Sequence, residues 1–218
     1  MRSLLVFLLL FSVPVLLRAA EPLPAPWKHQ DIGGAQTPGT AEQAAGVFIL
    51  QGTKDLWGTA DGSHIAWRPV HGDFEIIARV AAIENPGGVG HAKGSLSLRE
   101  SLDAGARHVT VCVTAADGTQ FLYRDATNGK TTRIFQDAEA KKASVANAQF
   151  PCWLKLIRRG NEFSGFESVD GEKWLPSGQI KLDLAADAII GLAASSHKPD
   201  ALTKVTFDHV TLSTATAK

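Results

Sequence analysis

The sequence predicts an all-β sandwich, one domain built from two antiparallel sheets. Three observations predict it. Short runs alternate apolar and polar residues with a period of two, as half-buried strands do. Asp61-Gly62, Asp117-Gly118, Asn128-Gly129 and Asp170-Gly171 punctuate these runs, and such pairs favour tight turns between antiparallel strands. No long stretch repeats apolar residues at helical spacing.

The plainest element is the hairpin from Pro151 to Trp174. Leu154 and Leu156 point one way, a Gly160-Asn161 turn follows, and a second extended run covers Phe163 to Ser168. Taken in order, the chain opens with strand candidates at Val47 to Gln51 and His64 to Val70. Phe74 to Ile83 comes next, with Ile76, Ala78 and Val80 on one face and Glu75, Ile77 and Arg79 on the other. In Lys93 to Glu100, Leu96 and Leu98 face away from Ser95, Ser97 and Arg99. In Arg107 to Thr114, Val109, Val111 and Val113 face away from His108, Thr110 and Cys112. Thr119 to Asp125 and Thr131 to Phe135 precede the hairpin; Ile180 to Leu184, Ile189 to Ser195 and Val205 to Leu212 follow it. Trp27 to Thr40 reads as mostly turn, and Asp137 to Asn147, without an apolar stripe, reads as loop.

Residues 1–20 read as a secretory signal peptide. Arg2 precedes an apolar run from Leu4 to Leu17, and Ala19 and Ala20 suit cleavage. The run is short for a membrane span. Residues 21–26 form a Pro-rich lead-in, 27–212 the domain, and 213–218 a frayed tail. Without Arg2 and Arg18, 20 basic residues face 22 acidic ones. That balance argues against a general binder of nucleic acid or anionic membrane. The implied location is secreted or periplasmic, and nothing in the sequence speaks to oligomeric state. Cys112 and Cys152 are the only cysteines; in an exported chain they either pair or stay as buried thiols.

The order of short motifs resembles a family of the concanavalin A-like lectin/glucanase superfamily. Its small exported bacterial members carry the label regulation-of-enolase-like, and a related module follows the catalytic domain of some β-xylosidases. The residues carrying the resemblance include Asp55-Leu56-Trp57-Gly58, Gly72-Asp73-Phe74-Glu75, Ala78-Arg79-Val80 and Arg99-Glu100-Ser101. They continue through Trp153-Leu154-Lys155-Leu156, Arg158-Arg159-Gly160-Asn161, Trp174, Ile190-Gly191-Leu192-Ala193 and Phe207-Asp208. The resemblance implies a jelly roll of two curved antiparallel sheets. It implies little chemistry, because this fold carries lectins, hydrolases and structural modules alike.

Glycoside hydrolysis needs two carboxylates across a sugar site. The nearest acidic group is Glu167, Asp170 and Glu172, and Asp170 sits in an Asp-Gly turn where backbone claims its side chain. No catalytic residue is therefore assigned. Glu75, Arg79, Arg99 and His108 all alternate away from apolar faces, with Lys93, Ser95, Ser97 and Arg124 near them in this reading. On one concave sheet face they would suit a sugar's hydroxyls or carboxylate; the same residues also suit a solubilising ladder of charge pairs. Trp57, flanked by glycine, is the best stacking platform among the tryptophans, whereas Trp153 and Trp174 read as packing residues. The seven His show no zinc spacing. A structural calcium, common in the superfamily, would draw on loop aspartates such as Asp31, Asp61 or Asp208, and no Asp-x-Asp cluster supports it.

The favoured reading is an exported, non-catalytic module that binds carbohydrate through the concave sheet face at Trp57, Glu75, Arg79, Arg99 and His108. Two alternatives stand beside it: a glycoside hydrolase with an unrecognised site, and a purely structural or protein-interaction domain.

Overall fold

The computed structural model describes residues 22–85, 87–134 and 150–214. The predicted signal peptide, the Asp137–Asn147 loop and residues 215–218 of the predicted tail lie outside the described residues.

Fourteen strands are present among the described residues, and no helix. They are β1 (Lys28–Ile32), β2 (Thr40–Ala44), β3 (Val47–Lys54), β4 (Ser63–His71), β5 (Phe74–Glu84), β6 (Lys93–Arg99) and β7 (His108–Thr114). They continue as β8 (Thr119–Arg124), β9 (Thr132–Ile134), β10 (Cys152–Arg159), β11 (Glu162–Ser168), β12 (Leu175–Lys181), β13 (Asp187–Ser195) and β14 (Lys198–Thr214). The front sheet runs β1-β4-β13-β6-β7-β8-β9 and the back sheet β12-β11-β10-β5-β14-β3-β2, each seven-stranded. The fold is the concanavalin A-like jelly-roll sandwich.

Strand alternation builds the core. Leu96, Leu98, Val109, Val111, Phe121, Ile190 and Leu192 enter it from the front sheet, and Leu50, Ile76, Val80, Leu154, Leu156, Phe163 and Phe207 from the back. Close approach at one place requires glycine. A Cβ on Gly165 or Gly178 would collide with the Phe121 side chain, so these positions on β11 and β12 admit the ring between the sheets.

The structure differs from the sequence expectation at the sheet edges. Trp27 to Thr40 contains β1, and β2 follows directly. Both are short edge strands; β1, KHQDI, is mostly exposed, so neither shows the alternation that burial on one face imposes. The twelfth strand spans Leu175–Lys181 rather than Ile180 to Leu184, and its pairing with β11 carries a bulge between Gly165 and Phe166. Ser213 and Thr214 belong to β14, paired with Glu75 and Phe74, and are not a frayed tail. Both cysteines are free and buried: Cys112 points out of the front sheet under Leu56, whereas Cys152 joins the core between the sheets.

Candidate functional site

The strand period gives the outward face of the front sheet Lys93, Ser95, Ser97 and Arg99 on β6. The antiparallel register sets Arg99 beside His108 and His108 beside Arg124. That much matches the expected polar face. It is not an open groove at this end. The connection 55–62 between β3 and β4 folds across it, with Leu56 packed on Cys112 and Leu122.

Asp61, from that connection, descends between the two arginines. Arg99 donates from Nη1 to Asp61 Oδ2 at 2.6 Å, and Arg124 donates from Nη2 to Asp61 Oδ1 at 2.6 Å. All three side chains are fully buried. The remaining guanidinium hydrogens satisfy loop carbonyls: Arg99 donates to Ser101 and Asp103, and Arg124 to Gly58, Ala104, Ala106 and Gly129. Burial lowers the Arg99 pKa from its ordinary value, and the Asp61 carboxylate opposes that shift. His108 lies inside the same cluster, its ring nitrogens 3.1 Å from Thr110 Oγ1 and 3.3 Å from Thr131 Oγ1. Burial drives its pKa down to about 3; Asp61 pulls the other way, and Arg99 and Arg124 add to the depression. The cluster has its donors and acceptors matched internally. It staples three loops to the sheet and offers no surface to a ligand.

The expected grouping of four charged residues therefore separates. Arg99 and His108 are buried in the front sheet, and Glu75 and Arg79 stand on β5 of the back sheet, on the opposite side of the molecule. Strand alternation had placed each residue outward correctly, but outward from two different sheets. Arg79 is engaged as well: it donates from Nε and Nη2 to the two Asp208 oxygens at 2.7 and 2.6 Å and lies 5.8 Å from the Trp153 ring centroid. The aspartates considered for calcium are committed to protein donors. Asp61 holds the arginines, Asp208 holds Arg79, and Asp31 accepts from Gly39 N–H and lies 2.8 Å from His64 Nδ1. Asp170 accepts from the Glu172 and Lys173 amides, and these bonds lower its pKa to about 2, as its turn position predicted.

Trp57 is where the sequence placed it. It is 45% exposed, one of two large apolar side chains exposed among the described residues. It borders a pocket of about 280 Å³ left open on the front sheet, beyond the edge of the 55–62 connection. Lys93 from β6, Gln120 from β8 and Arg133 from β9 contribute from the sheet; Asp55, His91 and His197 contribute from its rim. Lys93 donates from Nζ to Asp55 Oδ1 at 2.5 Å, and His197 Nδ1 lies 2.7 Å from Asp55 Oδ2. The His91 and His197 rings tilt against each other at 5.1 Å, and His91 Nδ1 is 2.8 Å from Asp117 Oδ2.

Sequence reasoning missed most of this lining. Lys93 was legible, because it shares strand parity with Ser95 and Arg99. His91 and His197 carried no local signal. They meet because β6 pairs with β13, Lys93 opposite Ser195, so the residues flanking those ends share a rim.

No family model and no curated protein matches the chain. Solved structures do. A functionally unknown protein from Saccharomyces cerevisiae superposes with a TM-score of 0.61 at 16% identity, over 88% of this chain and 96% of that one. A xylan β-1,4-xylosidase from Bacillus halodurans gives 0.54 at 14% identity over 74% of this chain, which spans only 32% of the enzyme. A lectin from Bauhinia forficata, solved in complex with GalNAc, gives 0.50 at 12% identity over 88% and 94% of the two chains. At these identities the likeness is one of fold.

Proposed function

We propose that this protein is an exported, non-catalytic module that binds carbohydrate at the pocket beside Trp57. One observation carries the reading: a half-exposed indole stands at the mouth of a pocket whose other walls are hydrogen-bonding side chains. Sugar rings stack their C–H faces on such an indole while their hydroxyls meet the polar wall. The fold shared with a GalNAc-binding lectin supports the reading, though it assigns no ligand here. The non-catalytic part rests on the lining. Asp55 is its one carboxylate, engaged by Lys93 and His197, whereas glycoside hydrolysis uses a pair.

Export and membership of the regulation-of-enolase-like family belong to the same proposal, on the Leu4–Leu17 run and the motif order. Mass spectrometry of the secreted protein should find a mature chain starting at Ala20 or Glu21; a chain starting at Met1 removes export from the reading. Binding is tested by calorimetry and affinity electrophoresis against a polysaccharide panel. Trp57→Ala should weaken retention about tenfold or more, equivalent to about 1.4 kcal/mol, with an unchanged melting temperature. Failure of the wild-type protein to bind any saccharide would reject it.

A further inference from the structure

A carboxylate and two histidines run in series along the inner face of β1. His29 and Asp31 stand opposite Ala66 and His64 on β4, on the side that Ala66 turns to the core. His64 Nδ1 lies 2.8 Å from Asp31 Oδ1, and His64 Nε2 lies 3.0 Å from His29 Nδ1. The Gly39 amide donates to both Asp31 oxygens at 3.1 Å and so ties the following turn to the same series. His64 is buried and His29 is exposed, so the series leads from the interior to solvent.

The carboxylate fixes where the protons are. It only accepts, so His64 donates from Nδ1 and its Nε2 carries a lone pair. His29 therefore donates from Nδ1 to that lone pair. A proton added to His29 Nε2 leaves both bonds in place. A proton added to His64 Nε2 sets two donors against each other and breaks the link between the rings. Burial lowers the His64 pKa; Asp31 opposes this shift, and His29 adds to it.

The residues that meet His64 from other elements are uncharged. Ala194 is its partner on β13, Gly52 of β3 approaches its backbone, and Gly39 lies against its ring. Glu42 of β2 pairs with Ile49, which alternates with buried Phe48 and Leu50 and so faces outward. Lys28 lies over the Trp67 ring, and Lys54 Nζ donates to the Gly33 and Gly34 carbonyls beyond the end of β1. The only ladder of β1 is to β4. Apolar anchors stand at its two ends, Trp27 against Phe48 and Ile32 with Ile65 and Ala193. Between them the inner face of the strand is His29 and Asp31.

We infer that Asp31, His64 and His29 form an acid-released latch, which seats β1 and the turn to Gly39 at neutral pH and lets them lift away when His64 takes up a proton. Lifting leaves the β4 edge without its ladder partner while the sandwich behind it stays folded. The sign follows from burial. His64 resists protonation when seated and returns toward its ordinary value of 6.5 when released, so the released form binds the extra proton. The latch therefore holds above about pH 6.5 and weakens as pH falls below it.

Deuterium exchange on the whole protein at pH 7.5 and 5.5, corrected for intrinsic amide rates, tests the latch. Protection of the ladder amides in 28–32 and of the Gly39 amide should fall about tenfold, the weight of one proton one unit below the ordinary histidine value. At pH 5.5 these amides should exchange faster than those of β7. His29→Gln changes an exposed residue, and its amide can donate to His64 or accept from it. In that variant the tenfold fall should largely disappear. Exchange of 28–32 no faster than β7 at pH 5.5 would mean that β1 leaves only with global unfolding, and would overturn the latch. An equal fall in His29→Gln would overturn the paired histidines as its cause.

Discussion

Arg124 donates from Nη2 to Asp61 Oδ1 at 2.6 Å, across 63 positions of sequence, with both side chains fully excluded from solvent. Asp61 also holds Arg99, so one carboxylate faces two buried guanidinium groups, and loop carbonyls absorb the rest of their hydrogens. This cluster closes the part of the front sheet that a ligand would otherwise reach, and leaves the Trp57 pocket as the open part.

Removing the carboxylate charge leaves two buried cations without a counter-ion. Asp61→Asn should cost about 3–5 kcal/mol in urea unfolding, in line with breaking one partner of a buried pair. The Arg79–Asp208 pair on the back sheet is partly exposed, and Asp208→Asn should cost about 1 kcal/mol or less. Equal losses for the two variants would contradict the structural role given to Asp61.

His108 ties stability to pH. In the folded protein its pKa is lowered from 6.5 to about 3, so the native ring stays neutral where the unfolded chain takes up a proton. The unfolded state then binds more protons as pH falls. Stability should be full above about pH 6.5 and fall by about 1.4 kcal/mol per pH unit down to about pH 3. His64, also lowered chiefly by burial, acts in the same direction. Melts between pH 7.5 and 4 should show a shallower acid decline for His108→Gln than for the wild type, and identical slopes would refute the assignment.

Glu167 on β11 is wholly buried, and neither carboxyl oxygen has a hydrogen-bond partner among the described residues. It lies near Cys152, whose pKa is raised to about 12, first by burial and then by Glu167. A buried polar group without a partner carries its desolvation cost uncompensated. Glu167→Met, similar in length and apolar, should therefore stabilise the fold by about 1–3 kcal/mol in the same denaturation assay. A loss of stability would mean that the carboxyl has a partner in the folded protein.

The sequence by itself determined which residues face inward. Leu96 and Leu98, Val109 and Val111, and Leu154 and Leu156 alternate with polar neighbours, and every one of them lies in the core. It also marked Trp57 as the exposed tryptophan, because glycine and turn residues surround it. Tertiary structure alone decided which outward faces belong together. A period of two is the same in either sheet, so Arg79 and Arg99 looked equivalent until β5 paired with β10 and β14, and β6 with β7 and β13. It also decided that the 55–62 connection would lie over Arg99 and His108, and that His91 and His197 would share a rim. Those outcomes depend on pairing between strands far apart in the chain, which sheet packing and loop closure select and no local residue pattern encodes.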